Sequence, residues 1–99
     1  MPSFKVQLTD EAEAQLETLR INPSLAKRFK SVRKALGQLE TNPRHPGLQA
    51  HKYSNFKGPN GEDVFEVYAE NRTPAAYRIF WYYGREPRQI VVLAIMPHP

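Results

Sequence analysis

The sequence predicts an α+β domain in which an N-terminal strand leads into an antiparallel helical hairpin packed on one face of a curved antiparallel sheet of about four strands. Three observations predict it. Apolar residues alternate at the start of the chain, two helical stripes follow with no strand between them, and the second half alternates polar and apolar residues between strong turn signals. A chain of 99 residues has enough length for one hydrophobic core, so a single domain over 1–99 is expected.

Phe4, Val6 and Leu8 alternate with Lys5 and Gln7, the two-residue period of a half-buried strand. Thr9 suits a helix N-cap, and Asp10, Glu11 and Glu13 place negative charge on the positive end of the helix that follows. Ala12, Leu16 and Leu19 carry its apolar stripe to about Arg20. Asn22-Pro23 ends that helix and begins the next, because Pro fits a first turn whose N–H has no partner to lose. Leu25, Phe29, Val32, Leu36 and Leu39 continue the three- and four-residue spacing. The second helix should therefore run from Pro23 to Leu39, about 25 Å at 1.5 Å per residue.

Thr41 to Gly47, with two prolines and a glycine, reads as a loop, and Leu48 to Tyr53 as a short strand. Gly58-Pro59-Asn60-Gly61 is a turn. Val64 to Glu70 is a strand with Phe65, Val67 and Ala69 on one face and Glu66, Tyr68 and Glu70 on the other. After a turn at Asn71 to Pro74, the aromatic strand Ala76 to Tyr83 points Tyr77, Ile79 and Trp81 one way and Arg78, Phe80 and Tyr82 the other. Gly84 to Arg88 turns the chain into Ile90 to Met96, whose apolar residues on both faces mark a central strand.

Composition narrows the function. The longest apolar run, Ile90 to Met96, is seven residues, far short of the roughly 20 that span a bilayer. No basic stretch followed by an apolar one opens the chain, so no secretory signal is visible. With no cysteine there is no disulfide, iron–sulfur cluster or cysteine-ligated zinc, which fits a cytoplasmic protein without cofactor. The formal charge is +4, and most of the excess lies on one segment. Lys27, Arg28, Lys30, Arg33 and Lys34 flank the second helix with no acid among them, whereas residues 51–99 carry six basic and five acidic side chains. That helix is a candidate surface for phosphate or for an acidic protein tail, set against the ordinary solvated face of a soluble helix.

The familiar catalytic motifs are absent: no phosphate-binding glycine loop, no HExxH and no Gly-x-Ser-x-Gly. His45 and His51 sit in or beside the Pro/Gly loop without a third ligand and read as surface histidines. Asp63 and Glu66, three apart on a strand, face opposite sides and cannot share a substrate atom. Arg78 interrupts an aromatic strand. It is either a phosphate grip framed by rings or a cross-strand ion pair with Glu66 or Glu70. His98, between two prolines, reaches the same end of the sheet or is simply exposed.

The order of elements and the segment AYRIFWYYGREPRQIVVLAIMPHP resemble the RelE/ParE superfamily of toxins from bacterial toxin–antitoxin pairs. YRIFWYY (Tyr77 to Tyr83) is similar to the family's Tyr-Arg-aliphatic strand. IVVLAIMPH is similar to its last strand, which leads to a His or basic residue. The resemblance implies a small basic toxin that cleaves messenger RNA in the ribosomal A site without metal. The RNA's own 2′-OH attacks the adjacent phosphate and cationic side chains stabilise the developing charge. It implies a cognate antitoxin, the ribosome and mRNA as partners.

Residue by residue, Arg78 matches the phosphate-gripping arginine and His98 the terminal His, Lys or Arg. Tyr68 and Glu66 fall where some members carry lysines, and Glu66 also resembles the general-base glutamate of the YoeB branch. Lys27, Arg28, Lys30, Arg33 and Lys34, with the rings of Phe80 and Tyr82, would then meet the RNA. The sequence departs from the pattern in having no tyrosine after His98 and no lysine from Val64 to Glu70. ParE-like members, which inhibit DNA gyrase, lack the nuclease residues and form an alternative. So do a homologue that only binds an antitoxin and a binding module that shares the fold alone.

Overall fold

The computed structural model describes residues 3–99, so Met1 and Pro2 of the expected domain lie outside the described residues. The elements are β1 (Lys5–Leu8), α1 (Asp10–Ile21), a 3₁₀ turn (Pro23–Leu25), α2 (Ala26–Thr41), a second 3₁₀ turn (Pro46–Leu48), β2 (His51–Lys57), β3 (Asp63–Tyr68), β4 (Tyr77–Tyr83) and β5 (Gln89–Pro97). The strands form one sheet in the order β1-β5-β4-β3-β2, with both helices on one face. This is the α+β arrangement the sequence predicts. The five strands are the N-terminal strand and the four that the second half predicts, and the one difference is a pairing: β1 lies parallel to β5 in the same sheet. β1 joins the sheet through the helical hairpin rather than through a tight turn, so no turn geometry holds it antiparallel.

Thr9 caps α1 as its sequence position predicts. Its hydroxyl oxygen accepts the Ala12 N–H at 3.2 Å and donates to the Leu93 carbonyl at 3.0 Å, so the cap also fastens α1 to β5. The Asn22 side chain caps the second helical segment by accepting the Ser24 N–H at 3.1 Å. Regular α geometry starts only at Ala26, because the Leu25 N–H closes a three-residue bond to the Asn22 carbonyl at 2.9 Å. The expected helix from Pro23 to Leu39 is thus a 3₁₀ turn followed by a helix that continues to Thr41.

The main core lies between the helices and the sheet. Leu19, Val32 and Leu39 meet Val67, Ile79, Trp81, Ile90 and Ile95, with Leu48 buried at the end of the second 3₁₀ turn. β5 is central, flanked by β1 and β4. In its ladder with β4, Phe80 faces Ala94 but Trp81 faces Val92, so Leu93 is the extra residue of a bulge. Gln15 Oε1 accepts the Ile95 N–H beside it at 2.6 Å.

The opposite face carries a second, smaller core of Val64, Phe80, Tyr82 and Ala94. Its cover comes from β2. Lys52 pairs with Phe65 and Lys57 with Asp63, so residues 53–56 of β2 oppose Val64 alone. That excess of chain brings Tyr53 and Phe56 over Phe80, with ring centroids 5.2 and 5.0 Å away. The strand expected at Leu48 to Tyr53 is therefore displaced to His51–Lys57. The β2–β3 turn is the predicted one, with Gly61 at φ 84°, where a side chain would be strained. Among the described residues no helix is long and apolar enough to cross a membrane.

Candidate functional site

Antiparallel register assembles a polar cluster at one end of the open face. His51 is directly opposite Glu66 across β2 and β3, and Tyr68 is opposite Arg78 across β3 and β4. Pro97 pairs with Tyr77, and the His98 N–H reaches the Ala76 carbonyl, which delivers His98 to the same end. Four strands thus converge on one carboxylate.

That carboxylate is Glu66, 1% exposed and the one charged residue buried among those described. Its Oε1 meets His51 Nε2 at 2.8 Å, its Oε2 meets His98 Nδ1 in a short contact, and Arg78 Nε lies 3.8 Å from Oε2. Each histidine is about half exposed, so the charged centre is dry while its two imidazoles reach solvent. Arg78 stacks its guanidinium on the Tyr68 ring at 3.7 Å from the centroid. Its Nη1 donates to the Glu70 carbonyl at 2.9 Å and to the Tyr77 carbonyl at 3.3 Å. Among the described residues no hydrogen bond engages Nη2. Tyr53 sets its ring edge-on to His98 at 5.6 Å.

The four residues expected to carry chemistry, Glu66, Tyr68, Arg78 and His98, are thus brought together. Phe80 and Tyr82 correct the expectation of base-stacking rings. Phe80 is fully buried and Tyr82 is 8% exposed under the cover of β2, so neither offers a face to a base. Arg28 is a second correction. Its Nε donates to Glu70 Oε1 at 2.8 Å and its guanidinium lies 4.6 Å from the Tyr77 centroid, which commits it to tying α2 to the sheet. Glu70 is consequently Arg28's partner and leaves Glu66 as the acid nearest Arg78.

Lys27, Lys30, Arg33 and Lys34 are exposed on α2. They flank the apolar stripe of α2, which packs on the helical side of the sheet. Lys34 links the two sides, because it lines a recess of about 270 Å³ with Ser31, Gln38 and Tyr68 at the sheet edge.

His51 was missed at the level of sequence. It reads there as a surface histidine, and only the pairing of β2 with β3 turns it onto Glu66. Its two-residue alternation with Tyr53 was the available signal. His45 takes no part: its Nδ1 accepts the Gly47 N–H at 3.0 Å. Asp63 stays apart from Glu66, as expected, and pairs with Lys57 at 2.9 Å and Lys52 at 3.3 Å. The hydrogen bond from Lys57, with a second from Lys52, holds its carboxyl below the usual range. Among the described residues no group of three or more His, Cys, Asp or Glu is arranged to hold a metal ion.

No family model and no curated protein matches the chain by sequence. Its shape does match solved structures. A chain of the archaeal RelE–RelB complex from Pyrococcus horikoshii superposes with a TM-score of 0.63 at 15% identity, covering 98% of this chain and 96% of that one. The YoeB/ParE toxin from Agrobacterium tumefaciens gives 0.64 at 11% identity, covering 96% and 99%. This chain has the RelE/ParE toxin fold. The YoeB dimer from Staphylococcus aureus agrees, at 0.62 and 12% identity over 97% of this chain and 98% of that one. On a RelE/ParE fold, the Glu66 cluster occupies the face that the helices leave open.

Proposed function

We propose that the chain is the toxin of a toxin–antitoxin pair and cleaves messenger RNA on the ribosome, using the RNA's 2′-OH as nucleophile. The observation that carries this reading is Glu66: a buried carboxylate joined to two half-exposed histidines and an arginine on the open face of a RelE/ParE fold. A buried ionic cluster is a weak device for stability, and such clusters concentrate where chemistry is done.

Arg78 offers Nη2 to the non-bridging oxygens of the scissile phosphate, its plane held by Tyr68. His98 spends Nδ1 on Glu66 and keeps Nε2 for the RNA. That nitrogen takes the 2′-OH proton as the 2′-oxygen bonds to phosphorus. The proton passes to the 5′-oxygen as the P–O5′ bond breaks, leaving a 2′,3′-cyclic phosphate and a 5′-OH end. Glu66 has both oxygens engaged and almost no exposed surface. The general-base role that the family resemblance implied for it therefore passes to His98, with Glu66 orienting the imidazole. Lys34 and the other exposed cations of α2 neutralise backbone phosphates nearby. The RelE–RelB complex among the similar structures supports an antitoxin as the protein partner, and a ribosomal substrate is a cytoplasmic one.

Arg78→Lys tests the reading, because lysine keeps the charge and loses the planar fork. The expected outcome is a folded variant with a lowered melting temperature, because lysine loses the Nη1 bonds to the Glu70 and Tyr77 carbonyls, and, well below that temperature, cleavage on programmed ribosomes reduced about 10²–10³-fold. A Lys variant that cleaves at the wild-type rate removes Arg78 from the mechanism. Intact message with the wild-type protein, together with arrested supercoiling by gyrase, moves the assignment to the ParE-like alternative.

A further inference from the structure

His51 has no task in the cleavage just described, yet both its ring nitrogens are committed. Nδ1 lies 3.0 Å from the Gln49 carbonyl oxygen and Nε2 lies 2.8 Å from Glu66 Oε1. A carbonyl only accepts, so Nδ1 carries a proton. The contact between Nε2 and the carboxylate oxygen requires a second proton on that line, because two lone pairs at such a separation repel. The His51–Glu66 pair therefore holds one proton more than a neutral imidazole beside a free carboxylate, and its net charge is zero.

The backbone enforces this arrangement. Gln49 adopts the left-handed conformation, φ 50° and ψ 45°, at the end of the second 3₁₀ turn, with its N–H on the Pro46 carbonyl at 3.1 Å. A residue with a Cβ disfavours that region, and strain of this kind persists where its surroundings over-determine it, often at functional sites. Here it aims the carbonyl that fixes the His51 tautomer.

Building on the nuclease reading, we infer that His51 is a positioning residue for His98. By neutralising Glu66 it leaves Oε2 to accept a single N–H from His98 Nδ1, so that His98 presents a lone pair at Nε2 to the RNA. Other groups around Glu66 are poorly placed to do this. Arg78 Nε is 3.8 Å away and its Nη1 is spent on two carbonyls. Lys52 is paired with Asp63. Tyr68 turns its ring to Arg78 and to His51, and Tyr53 turns its ring to His98. Without a donor at His51, Glu66 Oε1 has no partner on that side and the hydrogen-bonding demand of the carboxylate falls on His98.

The test observes His98 directly. Imidazole nitrogen NMR is recorded across a pH titration, without RNA, for wild type, His51→Gln and His51→Ala; the glutamine can still donate to Glu66 but brings no charge. Both variants are expected to hold two ring protons on His98 over the pH range where wild type holds one. On programmed ribosomes their kcat is expected to fall about 10²-fold or more with KM unchanged. Identical His98 titrations in all three proteins overturn the inference. Should His51→Ala fail to fold, the Gln variant carries the comparison. A wild type that leaves message intact overturns the nuclease reading instead, and the RNA-free titration still decides the proton arrangement.

Discussion

Trp81 and Tyr82 are adjacent residues whose side chains end in different cores. Strand alternation places Trp81 toward the helices, where it stacks on Phe65 at 5.0 Å. Tyr82 faces the other way, which by itself suggests a solvent-facing ring; the cover from β2 leaves it 8% exposed. Truncation should therefore be severe at both positions. Trp81→Ala and Tyr82→Ala are each expected to cost about 3–5 kcal/mol, measured from urea midpoints. A loss below about 1 kcal/mol at Tyr82 would mean that the second core is not closed in solution. Trp81 carries a further detail: its buried Nε1–H has no partner among the described residues. A donor left in that state forfeits about 1–3 kcal/mol, so this indole is held by its ring area and not by its polar atom.

On α2 the division is between cations that build and cations that wait. Arg28 is 23% exposed at the side chain and bonds to Glu70, which is 11% exposed and also accepts the Tyr77 N–H at 2.9 Å. Arg28 therefore anchors the helix to the β3–β4 connection. Arg28→Ala should destabilise by about 1.5–3 kcal/mol, the range for a hydrogen bond to a charged group. Lys30→Ala, on the exposed face, should stay within about 0.5 kcal/mol. The ranking reverses for a polyanion. Removing Lys30 should lower the salt dependence of RNA or ribosome binding by about one unit of slope, while Arg28 should leave the slope nearly unchanged. Equal slopes for the two variants would show that α2 does not touch phosphate. The expectation of five equivalent cations fails for a physical reason: α2's spacing shows which residues flank its stripe, but Glu70 reaches Arg28 from 42 positions away.

The whole sheet is organised around β5, which exchanges hydrogen bonds with β4 on one side and β1 on the other, and receives the cap residue Thr9 and Gln15 of α1. β2 is its opposite: an edge strand whose middle residues have no regular partner. Stability should grade across the sheet accordingly. Amides of Ile79 and Ile90 are expected to exchange at the rate of global unfolding, and those of residues 53–56 to exchange orders of magnitude faster through local opening. Native-state hydrogen exchange measures this. Uniform protection from β2 to β5 would contradict it. Because β2 both covers Phe80 and carries His51, its openings would disturb the second core and the polar cluster together.

Local chemistry was enough to reveal most elements. Thr9 as a cap, Asn22-Pro23 as a joint, Gly61 in a turn and the two-residue alternation of β3 and β4 each depend on near neighbours, so the sequence predicts them correctly. The same alternation put Glu66, Tyr68 and Arg78 on one face. Three matters depend on residues far apart in the chain, and only the folded molecule settles them. The parallel pairing of β1 with β5 joins ends separated by more than 80 positions. The excess residues of β2 shift its register, and a shift changes which side chains oppose each other; that is why His51 reached Glu66 unannounced. The same excess turned Phe80 and Tyr82 from expected contact surfaces into core. Burial and pairing are sums over distant neighbours, whereas periodicity records only the local backbone. A residue's face can therefore be inferred before folding, while what that face meets is decided by the tertiary structure.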